Sequence, residues 1–570
     1  MDFLLTHGFS IEGITDSLRA ASIGWSGTRC HMSAYGPISV FATDPMGLNP
    51  LLPPNVGPNA RERFYLFDGQ FSTDTSYFHP LLSRMADGLP KRIDDLIERN
   101  SGVETVNAGV FTAGRIDRNG LRLVTDSLGQ YPIYYFQSGE RYLISNVMRY
   151  LTMAMKVAGY DATPSLLPCL ESLVFGGGLG DATQIREIRR LPHGHDIRAN
   201  PGLQFYSTAA TEYPSSYEAL IDGTHGALTH HLAAVAGATG PESHIVADIT
   251  GGSDSRLVLS LMLASPMRDE FGGRCNSRYP DPDANVAGAL LAKYGLRTAE
   301  MPFIVDSDPN LWPQSLAQHG IDCSAAFAGG TRVATNQLWK VALPNLFHFD
   351  GAFGEIAGAS SGLRGFDRFA ELDISIEEVV DLQIAGSRPS GALDLITEAG
   401  LASARNNAIA TIRALENEGI SRDQLRAEFY LRTRCVERTT PAMARNQTPA
   451  LNGKPMRSLS TTEPIRISFL PTSPDLRHST SRQTDVPFCR QSTGRRDWFL
   501  FGIFSMYRMR QSTTRSGRRP ARPHRWKHCQ RPYRTNCRSG PLSTRLWVPQ
   551  FRPVEGRSAE TGMSTCCRLA

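Results

Sequence analysis

The spacing of hydrophobic positions divides the chain into three regions. From residue 1 to about 210, short apolar runs such as 109–114 and 121–124 are separated by Gly, Pro, Asn and Asp, which is the pattern of a strand-rich domain. From about 213 to 453, helical stretches alternate with short apolar runs, as in a parallel α/β sheet. This second region predicts a helix over 217–236, a strand over 244–249, and helices over 255–264 and 285–294, the last one stopped by Gly295.

The third region, from residue 456 to the end, shows no sustained hydrophobic period and differs from the rest in charge. It contains 22 Lys and Arg, of which 21 are Arg, against 6 Asp and Glu, whereas the preceding residues carry an excess of 11 acidic residues. The net charge of +5 therefore conceals a basic tail on an acidic body. Three interpretations stay open: a disordered segment, an out-of-frame translation product, or a basic arm that binds nucleic acid or an anionic membrane.

Composition indicates a globular protein with hydrophobic cores, because 41% of the residues are apolar and 20% are charged. The first ten residues lack the basic start of a secretory signal, and the apolar stretch 498–507 has about half the length of a membrane span. The cysteines match no zinc spacing. We therefore expect a cytoplasmic protein with reduced thiols.

Three histidines, His225, His230 and His231, share one predicted helix. Few carboxylates lie near them at the spacing of metal ligands. We expect these histidines at the surface.

The strongest chemical signal is the small-residue turn between the predicted strand over 244–249 and the next helix. It contains six residues with phosphate-binding character: Thr250, Gly251, Gly252, Ser253, Asp254 and Ser255. Glycines let N–H groups approach an anion, the helix start adds its dipole, and Asp254 is suited to hold Mg²⁺ bridging the phosphates. The alternative is an ordinary polar turn in which Asp254 caps the helix. A P-loop is excluded, because no Gly-Lys-Ser/Thr ending is present.

The motif Thr-Gly-Gly-Ser-Asp-Ser at 250–255 resembles the Ser-Gly-Gly-x-Asp-Ser pyrophosphate loop of the ATP pyrophosphatase superfamily. The segment 279–296, in which an Asp precedes a helix that closes at a glycine, is similar to the corresponding part of asparagine synthetases. Asp283 is the matched position, with the nearby Asp281 as the alternative. Upstream, 126–135 and 183–195 are similar to two segments of the glutaminase-type domain of that family. By these motifs the chain is identified as a divergent member of the asparagine synthetase family.

The resemblance implies an α+β sandwich of the Ntn-hydrolase type over 1–210 and an α/β parallel-sheet domain of the ATP-pyrophosphatase type over 213–455. An irregular basic tail over 456–570 follows. The implied cofactors are ATP and Mg²⁺, with the 250–255 loop and Asp283 binding the nucleotide, Asp254 holding the metal and Glu355 acting in catalysis.

The reaction implied by the resemblance is activation of a carboxylate, aspartate by default, as an acyl-adenylate. Ammonia or an amine then forms the amide. A homodimer is compatible with the resemblance, no membrane partner is expected, and nucleic acid is expected only through the basic tail.

The N-terminal region departs from the family at its nucleophile. The family's glutaminases use an N-terminal cysteine, whereas Asp2 follows Met1 here. The family's Asn-Gly-Glu segment appears as Asp68-Gly69-Gln70. We therefore predict no glutaminase activity, with a start site further upstream as the alternative interpretation.

The second region departs from the family near 350–358. Gly351 and Gly354 stand where the family has a substrate-orienting Glu and a metal-binding Asp. Glu355 remains, with Asp350 as a displaced candidate. A catalytically weak or inactive scaffold, or a damaged gene product, is therefore the alternative function.

Overall fold

The computed structural model describes residues 1–10, 29–44, 62–73, 76–79, 88–98, 108–126, 128–175, 178–207, 217–275, 282–299, 346–351, 374–387 and 396–422, with the short pieces 13, 49, 51–52, 106, 425, 428–429 and 447–448. All of them belong to one compact unit, Met1–Arg508. The predictions made for Glu355, for Gly354 and for the 456–570 tail lie outside the described residues.

The strand-rich region contains twelve strands among its described residues. They are β1 (Asp2–His7), β2 (Arg29–Tyr35), β3 (Ile38–Asp44), β4 (Arg63–Ser72), β5 (Tyr77–Phe78), β6 (Ala108–Asp117), β7 (Gly120–Thr125), β8 (Tyr134–Ser138), β9 (Arg141–Ser145), β10 (Arg189–Arg190), β11 (His195–Ala199) and β12 (Leu203–Ser207). Three helices accompany them: α1 (Leu89–Glu98), α2 (Met148–Val157) and α3 (Leu167–Phe175).

These strands form two antiparallel sheets. The first has the order β10-β8-β9-β1-β3-β2 and the second the order β12-β11-β7-β6-β4-β5. One hydrophobic core holds Phe3 and Val40 from the first sheet together with Phe67 and Phe111 from the second, so the sheets pack face to face. The alternating side chains of β1 place Leu4 on the opposite face, where it packs with Leu151 and other residues of α2.

The second region forms a parallel sheet with helices. Its elements are α4 (Tyr217–Ala238), β13 (His244–Asp248), α5 (Ser253–Ala264), β14 (Gly272–Arg274), α6 (Pro282–Tyr294), β15 (Leu346–Phe349), α7 (Ile376–Ser387), α8 (Glu398–Asn417) and β16 (Gln447–Thr448). The strands lie in the order β14-β13-β15-β16, and all three pairings are parallel. A second core joins Ile245, Ala247 and Phe349 of this sheet with residues of α4, α7 and α8.

The predicted elements of this region are confirmed, with shifts at their ends. The helix expected over 255–264 begins two residues earlier, at Ser253, because Gly252 already has the extended backbone of an N-cap. The helix expected from 285 begins at Pro282, since proline is favoured in the first turn, where its missing N–H is not needed. Gly295 ends that helix with a φ of +65°, as predicted. The described residues therefore form two antiparallel sheets in the first region and one parallel sheet with helices in the second.

Candidate functional site

The loop between β13 and α5 leads into a helix whose start has no side-chain cap. Gly252 is the N-cap of α5, and because glycine has no side chain, no cap hydrogen bond forms at that position. The first N–H groups of a helix have no partners within it, and they carry the positive end of its dipole. This turn is therefore suited to bind an anion, as the sequence predicts.

Two hydroxyl groups hold the loop in shape. The Oγ1 of Thr250 accepts a hydrogen bond from the Gly252 N–H at 3.1 Å. The Oγ of Ser255 accepts one from the Thr250 N–H at 3.1 Å and lies 2.9 Å from Thr250 Oγ1. Ser255 is buried. Thr250 and Ser255, expected as phosphate contacts, are thus engaged within the loop and fix its backbone.

The structure brings Asp283 to the loop from the start of α6. Its Oδ1 accepts a hydrogen bond from the Gly251 N–H at 3.1 Å. A Cβ on Gly251 would lie only 2.7 Å from that oxygen, so the close approach depends on glycine. Asp254 lies in the first turn of α5 and is partly buried, and Ser253 opens the helix. The predicted residues of this loop and Asp283 therefore come together, whereas Glu355 is outside the described residues.

The chain after β15 approaches the same loop. A Cβ on Gly351 would lie 2.9 Å from the Asp254 carbonyl carbon and 2.9 Å from the Ser255 nitrogen. Backbone atoms cannot yield as a flexible side chain does, so a larger residue at 351 would displace the loop. The sequence suggests a lost carboxylate at Gly351, and the structure adds a packing reason for the glycine.

A buried histidine lies beside this loop and was not identified from the sequence. His348 on β15 is 2% exposed, and its Nε2 is 3.2 Å from Oδ1 of Asp248, the last residue of β13. The contact has the distance of an ion pair. Burial lowers the pKa of His348, but the contact with Asp248 and the charges of Asp248 and Asp350 outweigh it and hold that pKa above its usual value. A histidine inside the otherwise apolar run Leu-Phe-His-Phe is the signal that would have found it.

In the antiparallel region, Asp68 is enclosed by partners from other elements. Its Oδ1 lies 2.6 Å from the Met1 amino group, and both groups are fully buried. The Tyr131 hydroxyl donates to Oδ2 of Asp68. Asn146 Nδ2 donates to that Tyr131 oxygen at 2.8 Å and to the Met1 carbonyl at 3.0 Å. These contacts tie the first residue of β1's segment to β4 and to the turns before β8 and after β9.

The turn that begins at Asp126 supports this arrangement. The carboxylate of Asp126 accepts hydrogen bonds from the N–H groups of Leu128, Gln130 and Tyr131 at 3.1, 3.0 and 2.8 Å. Complete burial nevertheless raises the pKa of Asp126 to about 6. The turn fixes the backbone of Tyr131, whose hydroxyl reaches Asp68.

The expectation of surface histidines on α4 is wrong for His231. His231 is fully buried, and its Nδ1 lies 2.8 Å from the Ser72 Oγ at the end of β4. His230 is exposed and His225 is half-buried. Burial lowers the pKa of His231 to about 4. The sequence did not show it because α4 packs against the antiparallel sheet, which only the tertiary structure brings into contact.

Within the described part of the chain, no group of three or more His, Cys, Asp or Glu side chains has the arrangement of a metal site. No helix there is long and apolar enough to cross a membrane. The described cysteines Cys30, Cys169 and Cys275 are free thiols.

Comparison with known proteins gives distant structural neighbours. No protein-family model matches the chain, and no curated protein matches it. Glutamine phosphoribosylpyrophosphate amidotransferase from B. subtilis, complexed with ADP and GMP, is 11% identical, with 68% of this chain and 79% of that chain covered and a TM-score of 0.23. A structure of the allosteric regulatory enzyme of purine biosynthesis is also 11% identical, with 68% and 78% covered and a TM-score of 0.25. At these values the likeness assigns no activity to this chain.

Proposed function

We propose that this protein is an ATP-dependent, amide-forming ligase of the asparagine synthetase type that has no glutaminase activity of its own. The observation that carries the proposal is the strand–loop–helix at 248–255. The N-cap of α5 is Gly252, which makes no side-chain cap hydrogen bond, and Asp283 holds the loop through the Gly251 N–H at 3.1 Å.

The proposed binding mode follows from the groups at the loop. The triphosphate of ATP would lie against the N–H groups at the start of α5, where the helix dipole favours negative charge. Asp254, in the first turn, offers the carboxylate oxygen that Mg²⁺ prefers. When bound, Mg²⁺ would neutralise part of the phosphate charge. Thr250 and Ser255 contribute by fixing the loop before the substrate arrives.

In the proposed reaction, an oxygen of the substrate carboxylate attacks the α-phosphorus of ATP, and pyrophosphate leaves. The acyl-adenylate then reacts with ammonia or an amine, and AMP leaves as the amide forms. Aspartate is the default acid from the family resemblance.

The test is binding of Mg²⁺-ATP to the purified chain by calorimetry, with Asp254→Ala beside the wild type. Asp269→Ala is the matched control, because Asp269 is exposed in the turn beyond α5. We expect Asp254→Ala to abolish binding and Asp269→Ala to leave it unchanged. That result would justify a screen for pyrophosphate release across carboxylates, starting with aspartate.

A folded wild-type protein that binds no Mg²⁺-ATP would contradict the ligase proposal and favour a scaffold. Binding that survives Asp254→Ala would place the nucleotide elsewhere. Far-ultraviolet circular dichroism of both variants shows whether a loss of binding reflects a loss of fold.

A further inference from the structure

His348 and Asp248 face the same side of the parallel sheet. Val246 lies opposite His348 in the pairing of β13 with β15, and Ala247 lies opposite Phe349. Ala247 and Phe349 point into the large core, whereas Val246 packs with Leu346 on the other face. Because side chains alternate along a strand, Asp248 and His348 share the face of Val246.

Both acidic neighbours of His348 lie next to the phosphate-binding loop. Asp248 stands two residues before Thr250. Asp350 follows β15 and precedes Gly351, whose backbone packs on Asp254 and Ser255. Asp248 and Asp350 therefore both belong to chain segments that lie next to this loop, at the carboxyl ends of β13 and β15.

Further charges at this edge of the sheet come from Arg274, from Asp254 and Asp283 at the loop, and from Arg256, whose Nε donates to the Gly252 carbonyl at 3.1 Å. Arg274, at the end of β14, lowers the pKa of His348 through its positive charge. The strand beyond β15 contributes Gln447 and Thr448, and neither titrates. Among these described groups, four carboxylates stand against two guanidinium groups, and a protonated His348 reduces the excess of negative charge from two to one.

We propose that His348 is a positioning residue whose positive charge offsets part of the negative charge of Asp248 and Asp350, so that the loop accepts the polyphosphate of ATP. This inference rests on the proposed function, because it concerns the same nucleotide site. Loss of the imidazolium proton would remove one positive charge from beside these carboxylates, and the added net negative charge disfavours binding of the phosphates.

The raised pKa of His348 supports the inference and gives the direction of its pH dependence. A raised pKa means that the folded protein holds the proton to higher pH than free histidine does. The affinity for ATP is then highest at low pH, where His348 is protonated, and falls as the pH rises through the pKa of His348. Asp248 is a cause of the raised pKa, so its removal would move that fall to lower pH.

The experiment measures the Kd of Mg²⁺-ATP between about pH 6.5 and 9, beyond the usual pKa of histidine. The variants are wild type, His348→Gln, Asp248→Asn and the control His244→Gln. His244 is exposed at the opposite end of β13. We expect wild type and His244→Gln to lose affinity several-fold as the pH rises. For His348→Gln we expect weak affinity that does not change with pH, and for Asp248→Asn a fall that occurs at lower pH.

Each outcome decides the question. A wild-type affinity that is independent of pH, or a His348→Gln variant that keeps the wild-type pH profile, would overturn the inference and leave the ligase proposal intact. No binding at any pH by the folded wild type would instead contradict the proposed function. The shift caused by Asp248→Asn separates an electrostatic role from a merely structural one, because an asparagine keeps the size of the side chain and removes its charge.

Discussion

The antiparallel region and the parallel region of this protein differ in the partners of their main polar groups. Around Asp68, the carboxylate is already paired with the Met1 amino group and the Tyr131 hydroxyl, and Asn146 completes the network. At the loop after β13, the glycine N-cap leaves the helix start without a capping side chain. A buried polar group that is already satisfied stabilises the fold, whereas an open helix start favours an anionic ligand.

The two regions also differ in what their closely packed glycines contact. Gly69 in β4 has a φ of +90°, and a Cβ there would lie 2.1 Å from the Val110 carbonyl oxygen. Gly351 instead permits contact between the chain after β15 and the start of α5. The first glycine holds two strands of a sheet together, and the second brings a loop to the candidate nucleotide site.

The largest effect is expected for Gly69→Ala, which tests whether the antiparallel region depends on this close approach. The methyl group would collide with a carbonyl oxygen, and the alanine backbone would have to keep an unfavourable positive φ. We therefore expect a loss of about 3 kcal/mol or more in the free energy of unfolding. Gly139→Ala is the matched control, since Gly139 has a φ of +61° with nothing within 4 Å of the added Cβ. Its expected loss is about 1 kcal/mol. Urea unfolding measures both, and equal losses would show that the Gly69 contact does not matter.

A second prediction concerns His231, which connects the two regions through Ser72. The folded protein keeps His231 neutral with a pKa of about 4 against an ordinary 6.5, so it binds fewer protons than the unfolded chain between these values. The associated stability is fully present above pH 6.5 and is lost as the pH falls toward 4, by up to about 3 kcal/mol.

We therefore expect the free energy of unfolding of His231→Gln to depend less on pH in that window than the wild type does. His230→Gln, on the same helix but exposed, is the control and should keep the wild-type dependence. Denaturant titrations at several pH values supply the slopes. Identical slopes for His231→Gln and wild type would mean that the buried imidazole is not what makes the fold sensitive to acid.

The smallest effect is expected for Gly351→Ala at the candidate nucleotide site. The added methyl group would press on backbone atoms at 2.9 Å and displace the start of α5, so we expect about tenfold weaker Mg²⁺-ATP binding, or about 1.4 kcal/mol. Gly288→Ala on α6 is the control, because nothing lies within 4 Å of its Cβ, and its affinity should match the wild type. Calorimetry measures both variants. An unchanged affinity for Gly351→Ala would separate this contact from nucleotide binding.

Local patterns predicted much of the fold. The alternation of short apolar runs indicated strands, and β6 and β7 cover the two runs at 109–114 and 121–124. The helical periods indicated α4, α5 and α6, and their ends differed by two or three residues. Gly252 and Pro282 favoured an earlier start of α5 and of α6. Such signals are local because backbone hydrogen bonding and turn preferences act between near neighbours.

The sequence by itself determined the loop of Thr250 to Ser255 and the strand before it, since each is a property of consecutive residues. Only the tertiary structure decided that Asp283 reaches Gly251, that Gly351 packs on Asp254, that His348 meets Asp248, and that His231 is buried against Ser72. The partners in these contacts are 32 to 159 residues apart in the sequence. Their meeting depends on strand order and on the packing of whole elements, which no local pattern specifies.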